Sequence, residues 1–287
     1  MTVREDRGWS PSPRELQRRR TRALLARRRV LVATVATVVV IGGLAAVVLL
    51  SPGWPRVHAL FFSWDDARDA LPDLVKGFWI NVKMFLVAEP LILVLGLAIA
   101  LVRQARSPYL VPLRGLAVVY TDVVRGVPTL LLVFLFGLGV PALKLAGLPK
   151  DPFVWATAAL VISYSAYVAE VFRAGIESVH PSQVLSAEAL ALSRVQTMRH
   201  VVVPQAVRRV VPPLLNDFVS LQKDTALVAS LSIFDVLFTA RDYANYNYNY
   251  APLVVAAVFF VAMTIPLARL CDWLAVRLAR RERAGAL

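Results

Sequence analysis

The apolar residues of this chain are concentrated in long runs that are separated by shorter polar segments. Residues 30–50 form the cleanest run and contain no charged side chain. Further runs cover approximately residues 78–102, 116–140, 153–172, a long stretch after Pro204 that is expected to bend, and residues 252–273. Each is close to the roughly 20 residues that a helix needs to cross a bilayer, and none shows the alternation of a barrel strand. The pattern predicts an all-α integral membrane protein, a polytopic bundle of about six transmembrane helices.

The net charge of +13 would suit a nucleic-acid-binding protein, but the placement of the charges favours a membrane topology instead. With six spans, four segments on one side carry 22 of the 32 basic residues: 1–29, 103–114, 194–209 and 269–283. Segments on the other side carry six, and they include the acidic group Asp65, Asp66, Asp69 and Asp73. Because basic loops remain in the cytoplasm, both termini are predicted to be cytoplasmic and no nucleic-acid partner is expected.

The chain divides into five parts by composition. Apolar residues make up 58% of its 287 residues, above the roughly 45–50% of soluble domains. The first run follows a long basic leader and lacks a small-residue cleavage site, so it is predicted to be a retained span and not a signal peptide. The parts are a cytoplasmic basic arm that touches anionic membrane lipid (1–29), an accessory transmembrane helix (30–50), an extracytoplasmic connector (51–76), a transmembrane domain (77–276) and a cytoplasmic tail (277–287).

The segment 179–205 is too polar to cross the membrane but has a helical pattern. Pro181 can begin a short helix, and Ser193 with Gln196 has the capping-box spacing for a second one that Pro204 would end. Apolar side chains of this predicted helical pair would form one exposed side: Leu185, Leu192, Val195 and Met198. Such a side can dock a protein partner or lie on the lipid surface, and the residues alone leave both interpretations open.

Three blocks of this sequence resemble the binding-protein-dependent permeases of ABC importers, in their polar amino-acid (histidine/glutamine-type) branch. They are YTDVVRGVPTLLL at 120–132, AYVAEVFRAGIESVHPSQ at 166–183 and LALSRVQTMRHVVVPQAVRRVVPPLLNDFVSLQKDTALV at 190–228. The resemblance covers about residues 77–276, with the blocks in order and at the expected spacing. It implies the type I ABC importer transmembrane fold, preceded here by one extra span.

The resemblance also implies a function and a set of partners. The function would be import of a polar amino acid across a bacterial inner membrane by alternating access. The partners would be two ATP-binding-cassette ATPase subunits, a second permease copy or sibling permease, and an extracytoplasmic substrate-binding protein. The alternatives are an ectoine-like osmolyte as the solute or, from another class, an energy-independent channel or membrane regulator.

In the resembled family, the segment between the fourth and fifth predicted spans couples the permease to its ATPase. The residues that match it here are Leu185, Glu188, Ala191, Leu192, Ser193, Arg194, Met198, Arg199 and Pro204. The chain has Leu185-Ser186-Ala187 where the family usually has Glu-Ala-Ala, and Ala191 where it usually has Gly. A left-handed turn at Ala191 would cost about 1 kcal/mol more than at glycine. Glu188, one helical turn later, is the candidate replacement for the missing acidic contact.

Ionisable and polar residues inside the predicted spans are candidate pathway residues, because burying them in lipid is costly. The candidates are Asn81, Glu89, Arg125, Lys223, Asp224 and Thr225. Glu89 or Asp224 could accept a solute ammonium, while Arg125, Lys223 or Thr225 could bind its carboxylate. The alternative is a set of internal ion pairs, such as Arg125 with Asp122 three residues earlier.

Two breaks are expected near these polar groups. Gly126 and Pro128 would weaken the third span, and Lys223-Asp224-Thr225 is the expected break in the long stretch after Pro204. Asn81 and Glu89, eight residues apart, are expected to face one cavity.

Motifs for covalent or metal chemistry are missing from the sequence. It has no G-x-x-x-x-G-K-[ST], H-E-x-x-H or G-x-S-x-G, and its three histidines lie in separate segments. The single cysteine excludes an internal disulfide framework. We therefore expect no catalytic residue, no metal site and no cofactor, with ATP bound by the partner subunit.

Overall fold

The computed structural model describes residues 12–105 and 107–284, and this part of the chain contains helices and no strand. It comprises two compact units, Met1–His58 and Ala59–Leu287. Residues 1–11 of the predicted arm and 285–287 of the predicted tail lie outside the described residues.

The first unit is dominated by helix α1, Pro13–Leu49. Ser12 caps it by accepting a hydrogen bond from the Glu15 amide, and Pro13 occupies the first turn, where a missing amide costs nothing. The described part of the predicted arm is therefore helical and continuous with the first predicted span. No residue in the apolar window of α1 is buried within the chain. Helix α2, Trp54–Phe61, follows after a short turn.

The described part of the second unit contains ten further helices. They are α3 (Trp64–Gln104), α4 (Val111–Gly126), α5 (Thr129–Phe134), α6 (Val140–Ala142), α7 (Pro152–Glu177), α8 (Pro181–Ala189), α9 (Arg194–Thr197), α10 (Val203–Asp224), α11 (Val236–Asn247) and α12 (Ala251–Ala284). Two wide π-helical turns, Leu135–Gly139 and Met198–Val202, and two tight 3₁₀ segments, Pro108–Leu110 and Thr225–Leu231, join some of them. Helix α3 passes residue 76 without a break, so the predicted connector (51–76) is mostly helical.

Four described helices are long and apolar enough to cross a membrane by length and composition, and the bent pair α4 and α5 would make a fifth. The sequence predicts about six transmembrane helices, which is more than this number. The predicted span after Pro204 corresponds to α10, which contains Arg208, Arg209, Asp217, Lys223 and Asp224 and therefore does not qualify as a span by composition alone.

Helix α7 lies at the centre of the second unit and packs against α3, α4, α5 and α10. Its buried face is built largely from small residues, among them Ala156, Ala159, Ser163, Ala166 and Ala169. Small side chains allow neighbouring helices to approach closely, which is how membrane helices gain packing energy. Larger side chains from the neighbours then fill the core, including Met84, Ile92, Val133 and Leu221.

Helix α3 also touches the start of α11 through its backbone. A Cβ atom placed on Gly77 would lie 2.7 Å from the carbonyl carbon of Asp235 and 2.8 Å from the amide nitrogen of Val236. Those atoms belong to a main chain that is fixed by the cap of α11, so Gly77 is required by the close approach of two helices.

Candidate functional site

The predicted helical pair on segment 179–205 is present as α8 and α9. Pro181 begins α8, and the His180 side chain caps it. The capping box predicted for the second helix is confirmed: the Ser193 amide donates to Gln196 Oε1 over 2.8 Å, and the Gln196 amide donates to Ser193 Oγ over 3.4 Å. Both caps pair amides that helix ends leave without partners, so the two short helices are well defined.

The turn between α8 and α9 is left-handed at Ala191, whose φ is 57°. The Leu192 amide donates to the Ala187 carbonyl over 3.1 Å, and the Ala191 amide donates to the Glu188 carbonyl over 2.9 Å. This pair of hydrogen bonds is a Schellman motif, in which the left-handed residue is usually glycine. The sequence-based concern is therefore real, since an alanine occupies the conformation that glycine adopts at lower cost.

Ala191→Gly is expected to stabilise the turn by about 1 kcal/mol, because glycine removes the steric penalty of the left-handed conformation. Hydrogen exchange at the Leu192 amide should slow about fivefold. Ala189→Gly is the matched control, and it should speed exchange because glycine weakens the right-handed last turn of α8. Equal rates of hydrogen exchange at the Leu192 amide in the two variants would show that Ala191 is not strained.

Pro204 does not end the second helix, contrary to the sequence-based prediction. The chain continues from α9 through the π-helical turn Met198–Val202 into α10, and Pro204 lies in the first turn of α10. Proline is tolerated there because the first-turn amides have no intrahelical acceptor.

The exposed apolar residues of this segment differ partly from those expected. Leu185, Leu190 and Val195 are 62%, 76% and 76% exposed. Leu192 and Met198 are half-buried against the rest of the chain, while Arg194 and Arg199 are exposed. Leu190 was not among the residues predicted for the exposed apolar side, because it belongs to neither predicted helix face. It is exposed because it lies in the Schellman turn at the end of α8. We define Leu185, Leu190 and Val195 as the apolar loop surface.

Asn81 lies in a buried polar network. It is 2% exposed, and its Nδ2 donates to Asp235 Oδ2 over 3.0 Å and to Thr225 Oγ1 over 3.3 Å. Its Oδ1 accepts from the Val236 amide over 3.1 Å. Asp235, fully buried, was missed by the sequence analysis, although it has the residue type of a helix cap for α11. This network fits the alternative interpretation of Asn81 and Thr225, in which they form internal polar contacts within the bundle and do not contact a solute.

Arg125 is paired with Glu170 on α7 and not with Asp122. Glu170 accepts from Arg103 over 2.9 Å, forms close contacts with Arg173, and lies 3.9 Å from Arg125 Nη1. The Arg125 guanidinium also lies 5.7 Å from the Tyr167 ring centre. Glu170 is thus the shared anion of three arginines, which the sequence analysis did not identify.

The remaining candidates, Glu89, Lys223 and Asp224, lie on α3 and α10, and two residues that the sequence did not single out, Tyr164 and Asp217, lie near them. Tyr164 donates a hydrogen bond of 2.8 Å to Asp224 Oδ2. Glu89 is half-buried within electrostatic reach of Asp217, whose Oδ2 is buried without a described hydrogen-bond partner. Lys223 is exposed. We refer to Glu89, Tyr164, Asp217 and Asp224 as the acidic pathway cluster.

Both predicted breaks are present. Helix α4 ends at Gly126 and α5 begins at Thr129, and the stretch Thr129–Ala142 is bent by 104° from the stretch Pro108–Gly126. Helix α10 ends at Asp224, where the 3₁₀ segment Thr225–Leu231 begins, and Ser232 then adopts a left-handed φ of 57°. Irregular backbone of this kind is tolerated at membrane depth where it is buried or lines a wet cavity.

Comparison with known proteins gives consistent matches. Residues 92–283 match the family described as binding-protein-dependent transport system inner membrane component. The chain is 33% identical to the probable glutamine ABC transporter permease protein GlnM of Bacillus subtilis (strain 168) over 207 residues, which are 72% of this chain and 93% of that protein. It is 30% identical to the arginine transport system permease protein ArtQ of the same organism, over 69% of this chain and 88% of that protein.

Solved structures match over a similar length. A crystal structure of an amino acid ABC transporter with histidines superposes with a TM-score of 0.68 at 29% identity, covering 75% of this chain and 98% of that one. The MetNI methionine ABC transporter in an inward-facing conformation superposes with a TM-score of 0.60 at 15% identity, covering 71% of this chain and 95% of that one, and shows the fold alone.

Proposed function

This chain belongs to the family of binding-protein-dependent transport system inner membrane components, and we propose that the solute it passes is a polar amino acid. Membership makes it a multi-pass permease subunit of an ABC importer, a non-enzymatic component whose ATPase is a separate subunit. It also implies a substrate-binding partner. The glutamine and arginine systems among the relatives support an amino acid over the ectoine-like alternative, and a family of importers leaves no place for an energy-independent channel or regulator.

The apolar loop surface is the observation that supports coupling to an ATPase. Three exposed apolar side chains on two capped helices and the turn between them would be costly to leave in water and are typical of a docking site. Hydrogen bonds brace the loop against α10: Gln205 bonds to Gln183, and Arg209 donates to the Ser178 carbonyl. A braced loop can transmit movement from a docked partner to the bundle.

The proposed complex contains two ATP-binding-cassette subunits that bind the ATP, a second permease copy or sibling permease, and an extracytoplasmic binding protein. Closure of the ATPase pair would drive alternating access. The basic half of α1 would lie at the anionic lipid surface.

Within the bundle, the acidic pathway cluster suits the ammonium of an amino acid. Asp224 is held by Tyr164, while Glu89 and Asp217 have no described cationic partner. Arg125, whose side chain is 39% exposed, is the candidate for the carboxylate. Separated positive and negative groups of this kind match a zwitterion.

Uptake by the reconstituted complex tests the proposed solute. Proteoliposomes are prepared with the ATPase subunits, and the binding protein is added on the opposite side of the membrane. They should transport radiolabelled glutamine or arginine toward the ATPase side when ATP is present on that side. Ectoine at the same concentration is the control and should not accumulate. Accumulation of ectoine alone, or equal uptake of an amino acid without ATP, would contradict the proposal.

We further propose that both termini and the α8–α9 loop are cytoplasmic, on the basis of the alternating density of basic residues. In a Cys271→Ser background, a membrane-impermeant maleimide added to intact cells should label Asn245→Cys but not Ser186→Cys. Both positions are exposed, and inverted vesicles should give the reverse result. Labelling of Ser186→Cys in intact cells would overturn the orientation.

A further inference from the structure

A cavity of about 300 Å³ lies between the α8–α9 loop and the ends of α3 and α7. Its wall comprises Gln104 from α3, residues at the end of α7, Val184 and Glu188 from α8, and Thr197 from α9. Met198 and Val202 of the π-helical turn add apolar surface. The volume is at the lower end of the roughly 300–1,000 Å³ of small-molecule sites, so only a small ligand would fit.

Two polar residues that line this cavity each have a buried side-chain atom without a hydrogen-bond partner among the described residues. Thr197 is 4% exposed, and its Oγ1 has no partner. Gln104 is half-buried, and its Nε2 is likewise buried without a partner. Buried polar groups are nearly always paired, because leaving one unpaired costs about 1–3 kcal/mol. A small rotation of either side chain would bring its unpaired atom into reach of a polar molecule in the cavity.

The charges on the wall indicate what that molecule would be. Arg194 and Glu188 both line the cavity, and neither forms an ion pair with a described residue. Glu177, which also lines it, is already paired with Arg173. One free cation and one free anion beside an apolar wall match a small zwitterion with an aliphatic body.

We propose that this cavity is a regulatory site for a free amino acid with an aliphatic side chain. The ligand carboxylate would meet Arg194 and Gln104, the ammonium would meet Glu188, and the side chain would pack on Val184 and Val202. The bound molecule would fasten the loop to α3 and α7 and so restrain the movement that coupling needs. This last step rests on the proposed coupling function and on a cytoplasmic loop, whereas the binding itself does not.

Calorimetry tests the binding without ATP or substrate-binding protein, on the full-length chain purified with the subunits that accompany it. L-Leucine is the probe, and its two halves, 4-methylpentanoate and 3-methylbutylamine, are controls. We expect L-leucine to bind once per permease and the halves at least about tenfold more weakly, since each lacks one charge-assisted contact.

Variants locate the site. Thr197→Val should weaken leucine binding about fivefold, whereas Thr197→Ser, which keeps the hydroxyl, should bind like the wild type. Arg194→Ala should weaken binding about tenfold or more. Asp224→Asn, in the acidic pathway cluster, should leave it unchanged.

Three outcomes would overturn the proposal. They are absence of leucine binding to the wild type, unchanged affinity in Thr197→Val and Arg194→Ala, and loss of binding in Asp224→Asn alone, which would place leucine in the translocation path. None of these depends on whether the complex transports glutamine or arginine, so the proposed function can fail or stand separately.

Discussion

Leu190→Asp is expected to abolish uptake and substrate-stimulated ATP hydrolysis while leaving membrane insertion intact. Leu190 is 76% exposed in the chain alone, so a charge there costs nothing until an apolar partner surface covers it. Desolvating the carboxylate at that contact would cost on the order of 3 kcal/mol or more, which weakens docking over a hundredfold. The measurement is ATPase activity of the reconstituted complex with and without loaded binding protein.

Two variants serve as controls for this experiment. Leu190→Met keeps an apolar side chain of similar volume and should couple like the wild type. Leu192→Asp, at a half-buried position, should also disturb the loop itself and lower its protection from proteolysis. If Leu190→Asp assembles and transports normally, the apolar loop surface is not the docking site, and an amphipathic hairpin on lipid becomes the better interpretation.

Glu170→Gln is expected to lower the free energy of unfolding by about 3 kcal/mol, because it leaves three arginines without their shared anion. The side chains of Glu170, Arg103 and Arg173 are only 23%, 14% and 28% exposed. Water can therefore replace little of the stabilisation that the arginines lose with the Glu170 charge. Arg125 would also lose its position near Tyr167. The readout is thermal unfolding of the detergent-solubilised protein, together with its yield in the membrane.

Glu177→Gln is the matched control on the same helix. Glu177 is 53% exposed and, among the described residues, forms an ion pair only with Arg173, so its loss should cost less than about 1 kcal/mol. Equal destabilisation by the two substitutions would show that charge number, and not the shared contact with three arginines, determines the effect.

Features that depend on local chemistry were predictable from the sequence. The left-handed turn at Ala191 was expected from the glycine that the resembled family usually has there. The capping box at Ser193 and Gln196 and the break at Asp224 each involve residues a few positions apart. Their hydrogen bonds form within one or two turns, so residue type and spacing suffice to predict them. The permease fold followed from the resemblance of longer blocks, and the family match at 92–283 confirms it.

Contacts between distant residues were not predictable in this way. Asn81 and Asp235 are 154 positions apart, and only the packing of α3 on α11 brings them together. Glu170 and Arg125 lie on different helices, whereas Asp122 lies three residues before Arg125 on the same helix and was therefore the partner that the sequence suggested. Helix α10 is a related case: it carries five charged residues, so composition alone does not qualify it as a span, and its place in the bundle follows from its packing against α7 and α12.

The contact of Gly77 with the backbone of Asp235 and Val236 has a consequence for how this sequence can vary. At most helix positions, many side chains are tolerated and selection acts on their chemistry. At Gly77 the spacing of two main chains admits hydrogen alone, so a saturation library selected for growth on the transported solute should return glycine. Gly115, with no atom within 4 Å of its would-be Cβ, should return alanine, serine and larger residues from the same library. Recovery of alanine at position 77 at the frequency found at 115 would mean that α11 can move away from α3.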